Sequence, residues 1–208
     1  DAPPATEKNQ QFVDIAKSLT VQKLLVPKVL AANIESGFLC VEDLGSCMLE
    51  QVLSADNAAE LYRQALAVIV QLQTVKRENL AKMEEFDQAF IQRELDIFAD
   101  WFVDAELQAG EDWQQQGDWQ GLCSTVSQAI LEQPYAPMHR DFHSRNLMLN
   151  QRQLVMIDFQ DMVWGPIAYD VVSLLRDCYV AWPKELVDSL QRVYLEEKSA
   201  LPLAMPID

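Results

Sequence analysis

The sequence predicts an α+β fold in which a few short, local strands are outnumbered by helices. Three observations carry this. Apolar residues recur at helical spacing through most of the 208 residues. The segments of strand character are short and sit next to one another, joined by tight turns. No alternation of strand and helix builds a wound parallel sheet. Half of the residues are hydrophobic, which suits one large or two small domains with a substantial core and is too apolar for a disordered chain.

The elements follow in order. Asp1-Ala2-Pro3-Pro4 reads as the exit from a strand. Residues 5–19 read as a helix, with Phe12, Ile15, Ala16 and Leu19 at helical spacing. Val29–Asn33 and Phe38–Glu42 read as two strands around a turn at Glu35-Ser36-Gly37. After Gly45 the pattern becomes helical, with Ser54 a candidate N-cap. The run Ala58, Leu61, Tyr62, Ala65, Leu66, Val68, Ile69 and Leu72 is apolar nearly all round, as a central core helix is. A second long helix is expected over 86–107, with Phe86, Phe90, Ile91, Leu95, Phe98 and Phe102 as its apolar stripe. A Gly-containing loop and a third helix over 118–132 follow. A dense polar segment, His139 to Asn146, leads into a hairpin, and helices over about 167–181 and 183–198 close the chain. There is no internal repeat and no low-complexity segment.

Charge and cysteine usage narrow the function classes. The formal net charge is −16, and no basic stripe exists for a nucleic acid to bind. The longest apolar runs, such as Ala65 to Val70, are far too short to cross a bilayer, so no membrane partner is expected. Cys40, Cys47, Cys123 and Cys178 form no CxxC pair, and with two histidines a zinc site is hard to assemble. Buried, reduced thiols in a cytoplasmic protein are the expectation.

The chemistry gathers around His139-Arg140-Asp141-Phe142-His143-Ser144-Arg145-Asn146. Leu147 to Leu149 and Leu154 to Ile157 read as strands around the polar turn Asn150-Gln151-Arg152-Gln153, with Asp158 just after the second. Folding that hairpin about its turn places Asn146 opposite Ile157, so Asn146 and Asp158 emerge at one end with Asp141 a short loop upstream. Magnesium takes one or two oxygen ligands from protein and the rest from phosphates and water. Phosphoryl transfer needs such a metal and a carboxylate to orient the attacking hydroxyl. Asn146 and Asp158 are the candidate metal ligands, and Asp141 the candidate catalytic base.

This pattern, H-x-D-x-x-x-x-N followed by Ile157-Asp158-Phe159-Gln160, resembles the catalytic and metal-binding loops of kinase-fold enzymes. Phe142-His143 and the absence of an Asp-Phe-Gly are similar to the aminoglycoside-phosphotransferase and choline-kinase-like family. Gly165-Pro166-Ile167-Ala168-Tyr169-Asp170 resembles that family's G-D-P-x-x-D with one Asp absent. Gly37 to Gly45 resembles the last N-lobe strand and hinge, which implies that backbone groups of Glu42, Asp43 and Leu44 meet the adenine of ATP. Within the family, the Phe86 to Trp101 stretch, His139 to Leu147, Ile157 to Asp161 and Tyr169 to Tyr179 look most like the bacterial anomeric N-acetylmuramate and N-acetylglucosamine kinases of cell-wall recycling.

The resemblance implies a protein-kinase-like two-lobe fold. An N-lobe remnant would cover 1–43, with the hinge at about 42–45, and a helical C-lobe 44–208. It also implies an ATP- and Mg2+-dependent kinase whose partner is a small molecule, an amino sugar. The family's glycine-rich hairpin and lysine-bearing third strand are not in the sequence, and its last helices look curtailed after about Ala200. Weak or undetectable turnover is therefore expected of these 208 residues alone. Three alternatives stay open: a choline or homoserine kinase, an aminoglycoside kinase, and a non-catalytic protein on a kinase scaffold.

Several residues carry two readings. Asp161 is a second metal or substrate contact, or a turn acid. His143 faces phosphate or braces its loop. Arg145 contacts phosphate or substrate, or forms an ion pair. Glu94 and Trp101, seven apart on one helix, bind a sugar by hydrogen bond and ring stacking, or are a solvated acid and a core aromatic. His139 is read as packing beneath the loop. The resemblance gives Asp170 the role of supporting the loop's backbone.

Overall fold

The apolar run after residue 57 becomes the helix around which the rest of the chain packs. In the computed structural model, which describes residues 8–108, 113 and 117–200, α1 covers Asn9–Val21, α2 Leu49–Val52 and α3 Ala58–Leu72. Tyr62, Leu66, Ile69 and Leu72 of α3 are fully buried, and burying each such side chain stabilises the fold by roughly 1.5–3 kcal/mol. Ser54 is not the N-cap of α3. Asn57 takes that position, and its Oδ1 accepts the Ser54 N–H at 2.8 Å. Ser54 instead opens the preceding turn, its carbonyl accepting from Ala58 N–H at 2.9 Å. The Asx side chain closes the turn more readily than a serine hydroxyl would.

β1, Val29–Asn33, and β2, Phe38–Val41, pair antiparallel with Asn33 opposite Phe38. The turn uses Gly37 at φ 72°, a left-handed conformation that costs glycine little.

The long helix expected over 86–107 changes character midway. α4 covers Gln88–Ile97, capped by Asp87, whose Oδ1 accepts the Phe90 N–H at 2.8 Å. From Phe98 to Glu106 the chain winds as a π-helix, continued by the Leu107 N–H donating to Phe102 O at 2.9 Å. A π turn holds more residues than an α turn, so a stripe drawn at helical spacing rotates away from the core. Phe86, Phe90 and Ile91 are buried, while Phe98 and Phe102 are about half exposed. α5, Trp119–Leu131, starts at Asp118, whose Oδ1 accepts the Gly121 N–H at 2.9 Å.

β3, Tyr135–Met138, pairs antiparallel with β6, Val163–Pro166. Nothing in the sequence announces this pair, because Pro137 argues against a strand and 24 residues, 139–162, intervene. A two-stranded ladder has a free edge where proline is tolerated. Between the two strands lies the expected hairpin, β4 Leu147–Asn150 and β5 Gln153–Met156. Its two-residue loop, Gln151-Arg152, has positive φ at both positions, as a type I′ turn requires. α6 covers Tyr169–Leu175, shorter than expected, and α7 covers Lys184–Ser199.

The main core joins α1, α3, α6 and α7 to Phe142, Phe159 and Met162. A smaller one gathers Phe86, Phe90, Ile91, Met138 and Val163. The four cysteines are free, but only Cys123 is buried; Cys40 and Cys178 are exposed. The expectation of buried thiols fails because Cys40 lies on an exposed stretch of β2 and Cys178 beyond the end of α6. No helix among the described residues is long and apolar enough to cross a membrane. Asp1-Ala2-Pro3-Pro4, the first residues of the expected 5–19 helix, most of the Gly-containing loop and the tail after Ala200 lie outside the described residues.

Candidate active site

The His139 to Asn146 loop leaves β3, and two buried carboxylates hold its backbone. Asp170, in the first turn of α6, accepts the N–H of His139 at 2.8 Å and of Arg140 at 3.0 Å, one on each oxygen. Burial pushes the Asp170 carboxyl up to about 7, against the pull of those two donors. Asp177 accepts the Ser144 N–H at 2.9 Å and the Tyr179 N–H at 2.8 Å. The sequence did not single Asp177 out, because it falls inside the helix expected over about 167–181, whereas the helix ends at Leu175.

His139 is buried, its Nε2 sits 2.8 Å from Ile157 O, and its ring meets Phe142 edge-on at 5.7 Å. Burial lowers the imidazole's proton affinity, so it is held neutral. It packs beneath the loop and bridges it to the hairpin. Arg140 takes a φ of 79°, an uncommon conformation for a side chain of this size. Its guanidinium is held by Glu94 at 3.0 Å and lies over the Phe90 ring, 4.9 Å from the centroid.

Two Asp-Phe pairs then sort acid from aromatic. Phe142 and Phe159 are fully buried, and Phe159 stacks on Phe12 with centroids 4.8 Å apart. Asp141 and Asp158, one residue earlier in each pair, are exposed. Asp158 reaches this position at φ 61°, which Asp tolerates better than most residues. Ile157 N–H donates to Asn146 O at 3.0 Å, so the hairpin register does bring Asn146 and Asp158 to one end. Asn146 Nδ2 lies 3.0 Å from Asp141 O and 3.4 Å from Asp158 Oδ2. Gln160 Nε2 donates to Asp158 Oδ1 at 2.8 Å. Asp141, Asn146 and Asp158 thus converge.

The residues with two readings separate. Arg145 makes a two-pronged ion pair with Glu50, 2.9 and 3.0 Å, and lies 3.7 Å from the Tyr179 ring centroid. His143 packs edge-on against Tyr179 at 5.1 Å. Asp161 pairs with Lys8 at 3.0 Å. Glu94 is neither free nor simply solvated, because Arg140 holds it. Trp101 is no core residue: it is 73% exposed, and the π-helix breaks its expected alignment with Glu94. At the expected hinge, the Glu42 N–H is already spent on Lys28 O at 2.8 Å, and Asp43 Oδ1 accepts the Gly45 N–H at 2.8 Å. That leaves the Glu42 carbonyl and the backbone groups of Asp43 and Leu44 to consider there.

A cavity of about 550 Å3 opens on one side of Asp141. The loop contributes Arg140, Asp141 and His143, α5 contributes Ile130, Gln133 lies just beyond α5, and Tyr169, Val172, Ser173 and Arg176 form the α6 wall. Those last four recur at i, i+3, i+4 and i+7, one face of α6 and its cap. The sequence pointed to the Tyr169 to Tyr179 stretch but attached no role to these four side chains. Their signal was the spacing: Val172 is 55% exposed on a helix whose Val171, Leu174 and Leu175 are buried. Asn146 and Asp158 do not line this cavity.

The donor set near Asp158 fits magnesium. Among the described residues no group of three or more His, Cys, Asp or Glu side chains gathers as a self-sufficient metal cage. A carboxylate and an amide converging at an open surface match a cation that takes only one or two protein oxygens.

Residues 1–204 match the profile of the phosphotransferase enzyme family. The chain is 34% identical over 206 residues to an N-acetylmuramate/N-acetylglucosamine kinase of Pseudomonas aeruginosa, covering 99% of this chain and 60% of that protein. It is 37% identical over 215 residues to the protein of the same name from Neisseria meningitidis serogroup B, covering 99% and 62%. The chain therefore spans about three fifths of the length of these relatives. Its fold is that of an aminoglycoside phosphotransferase from Streptomyces rimosus solved with ADP and streptomycin, with a TM-score of 0.64 at 14% identity over 96% of this chain and 76% of that one.

Proposed function

The chain belongs to the phosphotransferase enzyme family, and from that premise we propose that it carries the catalytic centre of a kinase that moves the γ-phosphoryl group of ATP onto a hydroxyl of an amino sugar, the anomeric one. The similarity to two N-acetylmuramate/N-acetylglucosamine kinases supports the substrate class. One observation carries the mechanism. Asp141 stands between the cavity, which it lines, and the Asn146–Asp158 pair, which its backbone carbonyl touches through Asn146.

On this reading the acceptor occupies the cavity. Asp141 orients its hydroxyl and receives the proton as the acceptor oxygen bonds to phosphorus and the bond to the bridging oxygen of ADP breaks. Asn146 and Asp158 present oxygens to magnesium, which when bound neutralises charge on the phosphates. Asp170 and Asp177 fix the loop from below, and Phe142 and Phe159 anchor both acids. Residues 1–43 form the N-lobe portion, 44–208 the C-lobe, and the segment around Glu42 to Leu44 meets the adenine through the Glu42 carbonyl and the backbone groups of Asp43 and Leu44. A reaction that consumes ATP belongs in the cytoplasm.

The test uses the complete gene product that contains these residues. ADP release is followed with ATP, Mg2+ and a panel of N-acetylmuramate, N-acetylglucosamine, kanamycin, choline and homoserine. Release with the amino sugars is expected. Release with another acceptor alone keeps the mechanism and overturns the substrate, and release with none overturns both.

A further inference from the structure

We propose that Arg176 recognises an acidic group on the acceptor, so that the cavity is built for a carboxylate-bearing sugar in preference to its neutral counterpart. This rests on the kinase reading above and names the part of the substrate that reading leaves open.

Two cations line the cavity, Arg140 and Arg176. Arg140 is committed: Glu94 holds its guanidinium at 3.0 Å and the Phe90 ring covers it. Arg176 makes no side-chain hydrogen bond or ion pair among the described residues, and it is exposed. In a chain with 32 acidic residues against 16 basic ones, an arginine on a cavity wall without an acid partner stands out. Its backbone is fixed, since its N–H donates to Val172 O at 2.8 Å at the end of α6. The guanidinium therefore projects from a rigid helix end on the wall shared with Tyr169, Val172 and Ser173.

Guanidinium binds carboxylate through paired, charge-assisted hydrogen bonds. N-acetylmuramate differs from N-acetylglucosamine by a lactyl ether that ends in a carboxylate. With the reacting hydroxyl at Asp141, that group is the one feature of the two sugars that an arginine lining the same cavity discriminates. The same cation disfavours choline and polycationic aminoglycosides. A merely structural alternative exists, because a cation at a helix C-terminus also interacts with the helix dipole.

The experiment separates these. KM and kcat are measured for both sugars with the complete gene product, as wild type, Arg176→Gln and Arg176→Lys. Arg176→Gln is expected to raise the ratio of KM for N-acetylmuramate to KM for N-acetylglucosamine roughly 10- to 100-fold, and Arg176→Lys to restore part of it. An unchanged ratio overturns the inference. So does a loss of turnover with both sugars alike, which is what a structural role produces. If wild type turns over neither sugar, the kinase reading itself fails, an outcome distinct from an unchanged ratio.

Discussion

Asp141-Phe142 and Asp158-Phe159 perform one physical task twice. In each pair the aromatic is locked into the core while the acid before it stays at the surface. Phe142 and Phe159 have no exposed surface, which fixes the position of both carboxylates. Asp170 does the complementary work on the backbone, and its protonation makes a prediction. With its folded value near 7 and an ordinary unfolded one near 3.9, folding favours the protonated form. The stability this group contributes is complete below about pH 4 and is lost as pH rises through about 7. Asp170→Asn places an amide N–H against a backbone donor, costing about 1–3 kcal/mol. Denaturant unfolding at pH 5 through 8 is expected to show the gap between wild type and Asp170→Asn narrowing as pH rises. A gap that widens contradicts this.

At the scale of elements, the His139–Asn146 loop and the β4–β5 hairpin are both slung between β3 and β6. Gly165 of β6 is packed so closely that an added Cβ lies 2.7 Å from Met138 Cε and 3.2 Å from Phe86 Cβ. The methionine end can move, but the Phe86 Cβ is tied to backbone. Gly165→Ala is expected to destabilise by about 1–3 kcal/mol and to lower kcat by displacing the loop, read by thermal unfolding and steady-state kinetics. Unchanged stability means that the ladder does not set the loop's position. This pair was also the least legible part of the fold. Its strands lie far apart in sequence, and Pro137 masks one of them. The hairpin was legible because its pairing is local: counting back from its turn puts Asn146 opposite Ile157. The first half of the Phe86 to Phe102 stripe was legible too. The π-helical turn was not, because nothing in periodicity announces a change of period. For the same reason Trp101 was set beside Glu94 and is not there. The cavity wall on α6 was hidden differently, since Tyr169, Val172, Ser173 and Arg176 lie in a stretch that resembles the family without any role attaching to these side chains, and they become a site only once the loop is folded against them.

At the scale of the molecule, Asp141 divides two territories. The cavity lies to one side, with Arg176 on its α6 wall. Asn146 and Asp158 lie to the other, at the open end of the hairpin. α3 and α7 carry both through a buried relay in which Tyr194 Oη donates to Gln73 Oε1 at 2.9 Å and Gln73 Nε2 to Ile167 O at 2.8 Å, just ahead of α6. This layout suits a group transfer between two molecules that never share a binding wall. The most direct test replaces the dividing carboxylate alone. In the complete gene product, Asp141→Asn should lower kcat with N-acetylmuramate by roughly 100- to 10,000-fold, while calorimetry still finds ATP and the sugar bound with near wild-type affinity. A kcat within a fewfold of wild type would contradict the account, because the chemistry would then run without the residue on which both territories meet.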